Sequence, residues 1–147
     1  MQMQHLDANN VEHGMLMPLN RGPGNQRNLE FGAALACAVN DWQIKNWVER
    51  DNRLHASIVV TQEHPPFAIA EIEKRAKDKR FSQIMLPPKS LEPQGRRRYW
   101  PIYECAVAHN LPLALHVGGI AGYAPTASGW PSYYLEEQHT NVQGMQS

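Results

Sequence analysis

The 147-residue chain has few cysteines, no net charge and no long apolar run, and each shortage excludes a class of protein. Two cysteines, Cys37 and Cys105, cannot staple a disulfide-built secreted scaffold. No apolar stretch approaches the ~20 residues that span a bilayer. The opening Met-Gln-Met-Gln-His-Leu-Asp lacks the basic and apolar regions of a secretory signal. These absences predict a cytoplasmic chain with no membrane partner. Fourteen basic and fourteen acidic residues cancel. No long-range field is left to gather nucleic acid, so recognition must come from a local site. Phosphate cradles are missing too: Gly22-Pro23-Gly24 has Arg27 in a third glycine's place, and Pro23 removes an amide donor. There is no Gly-Lys-Ser/Thr loop, and no Gly-x-Ser-x-Gly elbow to present a nucleophilic serine.

What is present describes one globular α/β domain, with 42% hydrophobic and 19% charged residues. Residues 1–13 are polar and aperiodic and read as a loose start. Apolar runs at Gly14–Leu19, Leu54–Val60, Phe81–Leu86 and 111–116 read as strands, although Pro18 is awkward inside the first. A helix is expected from Phe31, with Phe31, Ala34, Leu35, Ala38, Val39 and Trp42 forming its inward stripe. A second helix follows Pro65-Pro66, with Ile69, Ile72 and Ala76 inward. Its Glu71–Arg75 and Glu73–Lys77 pairs are expected on the wet side. A third opens near Pro101, turns Ile102, Tyr103, Ala106 and Val107 inward, and ends at a left-handed Asn110. Strand–helix alternation at this spacing implies right-handed crossovers and a parallel sheet. Residues 120–147 read as a long loop and a final helix over about Pro131–Gln143.

Within this pattern Leu-Pro-Leu-Ala-Leu-His-Val-Gly-Gly, residues 111–119, is the stretch that points to chemistry. It places His116 at the carboxyl end of a strand, the end at which parallel α/β folds gather their ligands. The ordinary reading of one such histidine is a core residue satisfied by a carbonyl. The other six histidines have no one-residue or three-residue spacing that would set two imidazoles on one metal. His64 follows a strand and could share the mouth, but its Pro-Pro neighbour suggests a loop role. Arg96-Arg97-Arg98 reads as solvent-facing, and Cys105 as a small core residue.

Several motifs recur in one order: Asn40-Asp41-Trp42, Asp51-Asn52-Arg53-Leu54, Ala70-Glu71-Ile72, then Tyr99-Trp100-Pro101-Ile102-Tyr103-Glu104-Cys105-Ala106 and Leu111–His116. Together they resemble the amidohydrolase-related family that includes aminocarboxymuconate-semialdehyde decarboxylase. The resemblance implies a (β/α)₈ barrel with a divalent metal, often zinc, at the carboxyl ends of the strands. It also implies a His-x-His pair after the first strand, a histidine ending the fifth and an aspartate ending the eighth. His116 matches the fifth-strand histidine. Such a metal polarises a carbonyl or activates a water.

The chain departs from that pattern in having no His-x-His, and its matching region corresponds to strands two to five. A full barrel takes roughly 250 residues. The expectation is a partial TIM barrel of about four consecutive βα units, the central piece of a metal-dependent hydrolase or decarboxylase acting on a small carboxylated or cyclic molecule. His116 would be a metal ligand, and Trp130, Tyr133 and Tyr134 would wall the substrate pocket. Zinc is the metal expected in the complete enzyme, with none bound by this chain alone. The alternative is a non-catalytic half-barrel that self-associates through its open edges.

Overall fold

Four short strands order themselves as their spacing requires, each returning to the sheet through a helix. The computed structural model describes residues 5–19, 26–87, 90–116, 134–136, 138, 139 and 142. The strands are β1 (Gly14–Leu16), β2 (Leu54–Val59), β3 (Phe81–Leu86) and β4 (Leu113–Leu115). They pair in parallel in the order β1-β2-β3-β4. Helices α1 (Leu29–Asn46), α2 (Pro65–Arg75) and α3 (Trp100–Ala108) make the three crossovers. Sequential parallel pairing of this kind curls into half of a (β/α)₈ barrel. β1 ends at Leu16, before Pro18, whose missing amide could not have continued a ladder.

Strand alternation separates two faces. Leu54, Ala56 and Ile58 of β2, with Ile84 and Leu86 of β3, pack against Ile44 and Val48 after β1 and against Ile72, Ile102 and Ala106 of α2 and α3. Each large aliphatic side chain buried there stabilises the fold by roughly 1.5–3 kcal/mol. The inner face is more polar. Gln83 Nε2 donates to Ser57 Oγ at 2.8 Å, and that hydroxyl donates to the Leu16 carbonyl at 2.6 Å. A register shift between Ala56 and Ser57 leaves Ser82 as the extra residue of β3.

The buried face of α1 differs from the expected stripe. Gly32, Ala36, Asn40, Gln43 and Ile44 turn inward, while Phe31 and Trp42 are 57% and 50% exposed. The reason lies in the unpaired edge of β2. Gly14 N–H donates to the Arg53 carbonyl, and Ala56 N–H donates to the Arg80 carbonyl. The odd residues of β2 therefore present their backbone toward β1 and the even ones toward β3. β1 reaches only as far as Ser57, and beyond Leu16 there is none left to meet Val59. Asn40 takes that place, accepting from Val59 N–H at 2.9 Å and donating to its carbonyl at 3.0 Å. Gln43 does the same for Ser57, at 3.3 and 2.9 Å. Two buried amides thus satisfy four backbone groups that water cannot reach, which outweighs the burial of a more apolar face.

Helix α2 is corrected in the same way. Its inward residues are Ala68, Glu71, Ile72 and Arg75, with Ile69 and Ala76 only half-buried. The Glu71–Arg75 pair is buried between α1 and α2, not on the wet side. Glu71 Oε1 accepts from Arg75 Nε at 2.6 Å and from Asn40 Nδ2 at 2.9 Å, and Arg75 also pairs with Asp41 of α1. Glu73 and Lys77 remain exposed. In α3, Ile102 and Ala106 are buried as expected and Asn110 has φ 53°, but Val107 faces out. The unbroken apolar run of β4 suits a strand buried on both faces. Leu113 and Leu115 are instead exposed, because among the described residues no helix covers this edge strand.

Candidate functional site

The carboxyl ends of the strands form one rim, built from Thr61–His64 after β2, Pro87 and residues 90–96 after β3, and His116 after β4. His116 is half-buried, two residues beyond Ala114, which pairs with Met85 of β3. Strand alternation sets it on the inner face with Ala114. It stands outside the buried core cluster, at the carboxyl end of β4.

The neighbouring rim segments are latched together by a carboxylate. Glu63 is buried, with Oε1 accepting from Leu91 N–H at 2.9 Å and Oε2 accepting from the Tyr99 hydroxyl at 2.9 Å. Arg98 donates to the Glu63 carbonyl and to Glu92 Oε1, each at 3.0 Å. Arg98 thus turns inward, contrary to the solvent-facing expectation, while Arg96 and Arg97 are exposed. Burial pushes the Tyr99 phenol up, and the Glu63 carboxylate beside it acts in the same direction. The Glu92 contact holds the Arg98 guanidinium firmly protonated. With both oxygens of Glu63 accepting hydrogen bonds, this cluster fixes one loop upon another. Thr61 Oγ1, buried at the same rim, has no hydrogen-bond partner among the described residues.

His64 closes its rim segment where α2 begins. Its Nδ1 accepts from Phe67 N–H at 3.3 Å as the N-cap of α2, and its ring stacks on Phe67. Tyr134 lies in the helical residues 134–136 and is 71% exposed. Trp130 and Tyr133 fall outside the described residues. Cys37 and Cys105 are free thiols in α1 and α3, and burial pushes both up in pKa, with Glu71 adding to the effect at Cys37. Protonated thiols of this kind behave as core residues.

Spacing along the chain also missed a histidine pair. His13 and His55 lie 42 residues apart, yet the β1–β2 register brings Nδ1 of one within 3.2 Å of Nε2 of the other. Only the register, which local spacing does not encode, could have shown it.

A divalent metal at the rim needs more than His116. Three protein ligands are usual at a catalytic centre, and among the described residues no group of three or more His, Cys, Asp or Glu comes together. The described residues do not make up that centre by themselves.

The amidohydrolase family model matches residues 1–139. No curated protein matches the chain. Among solved structures, 2,6-dihydroxybenzoate decarboxylase from Rhizobium is 16% identical with a TM-score of 0.75, over 95% of this chain and 43% of that one. The 5-carboxyvanillate decarboxylase of Novosphingobium aromaticivorans, solved with bound manganese, is 21% identical with a TM-score of 0.67. It is covered to 35% of its length by 82% of this chain, so the chain spans less than half of either neighbour. At these identities the neighbours establish the half-barrel fold, and with a family match along nearly all its length the chain belongs to the amidohydrolase family.

Proposed function

We propose that this chain is the central portion of a metal-dependent decarboxylase or hydrolase whose substrate is a small carboxylated aromatic or cyclic acid. The observation that carries the reading is His116, held half-buried at the carboxyl rim of an amidohydrolase half-barrel. The two neighbours are named for decarboxylation of aromatic acids, which favours that substrate class. His116 is one metal ligand in this reading. The remaining ligands come from outside the described residues, and zinc is our first choice of ion. Trp130, Tyr133 and Tyr134 wall the substrate. The chain alone holds no catalytic metal and is inactive. The setting is the cytoplasm, a placement supported by two free, half-buried thiols. No helix among the described residues is long and apolar enough to cross a membrane.

The test is made on the completed barrel. Carbon dioxide release from a hydroxybenzoate and metal content by mass spectrometry are measured before and after His116→Ala. Both should be lost together. Retention of the metal with full activity would return His116 to an ordinary strand-end residue. A second reading, a non-catalytic module that pairs with another chain, is favoured by the exposed leucines of β4.

A further inference from the structure

We propose that His13 and His55 form a two-imidazole binding site for a first-row transition-metal cation at the amino end of the sheet. The rim bearing His116 lies at the opposite ends of the same parallel strands, so this site is separate and does not rest on the reading given to that histidine. His13 precedes β1 by one residue, and His55 pairs in register with Met15 of β1. Nδ1 of His13 and Nε2 of His55 are 3.2 Å apart, with ring centroids at 5.3 Å and planes tilted by 50°. Two imidazole nitrogens about 2.0–2.1 Å from one ion stand about 3.3 Å apart in a tetrahedral shell and about 2.9 Å apart as neighbours in the square shell of Cu(II). The observed separation of 3.2 Å lies between the two.

As placed, one ring donates its N–H to the other. To aim both lone pairs at one ion, the pair must leave this hydrogen-bonded arrangement, and His13 is the ring that turns. His13 has the freedom to do so, since its side chain is 66% exposed. His55 is half-buried in the strand and forms the fixed arm. Glu12 Oε1 lies 4.0 Å from the far nitrogen of His13, beyond hydrogen-bond distance, and adds a carboxylate's negative charge beside the site. Neutral imidazoles with water completing the shell select Cu(II) above Ni(II) and Zn(II).

The test titrates Cu(II) alone into the full chain, reading affinity by calorimetry and ligation by electron paramagnetic resonance. One equivalent should bind with hyperfine coupling from two ring nitrogens. His13→Ala and His55→Asn should each weaken binding by about tenfold or more, with circular dichroism unchanged. His109→Ala should leave the affinity as it was. The proposal is overturned if copper does not bind, if binding survives both substitutions, or if it follows His116 instead. The spectrum of the unsubstituted chain decides independently of any variant: coupling to one nitrogen, or to none, also overturns it.

Discussion

Asn40 shows at the scale of one residue how a polar side chain can take the place of a strand. It bonds both backbone groups of Val59 and one oxygen of Glu71 in a site without solvent. Asn40→Leu keeps the branched shape, at a larger volume, and removes every one of those bonds. Each buried backbone group left unpaired costs about 1–3 kcal/mol, and urea unfolding should show that loss. A change within the ordinary surface range of about ±0.5 kcal/mol would contradict the edge-filling role. Apolar periodicity pointed to the wrong face of α1 because it scores Phe31 and Trp42 as inward and amides as outward. It has no means of registering that Ser57 and Val59 need partners. His116 was legible for the opposite reason: its position depends on a local signal, an apolar strand ending at two glycines.

At the scale of the element, α1 and α2 are joined by charge as much as by packing. The Arg75 guanidinium holds the Asp41 carboxyl below the usual aspartate range, and Arg80 does the same for Asp78. Their folded pKa values lie below the unfolded value of about 3.9. The stability they contribute is complete above that value and is lost as pH falls through the folded values. Thermal melts should therefore drop as pH falls below about 4, and Asp41→Asn should make that acid limb shallower. Asp41 is largely exposed, so the difference is modest. An identical acid limb in the variant would show that the pair contributes nothing. Strand positions and the third helix were readable because each run is short, apolar and punctuated by proline or glycine. The burial of Glu71 and Arg75 was not, since a charged i,i+4 pair looks the same wherever its helix sits.

On the scale of the molecule, the described residues leave β4 as an edge strand, with apolar surface at Leu113 and Leu115. Unpaired edges of this kind template association. Multi-angle light scattering on the isolated chain should find oligomers whose proportion rises with concentration. A single sharp monomer peak across the range would contradict this. Strand order and parallelism could be read directly from βαβ alternation, whereas closure could not, because the described residues supply four strands of a barrel that takes eight. The central claim is that His116 is a metal ligand at the rim of a barrel this chain only half builds. An anomalous-scattering map of the zinc-loaded complete barrel tests it most directly. The account predicts a peak about 2.0–2.1 Å from a ring nitrogen of His116; a metal held by other side chains, with His116 turned away, would contradict it.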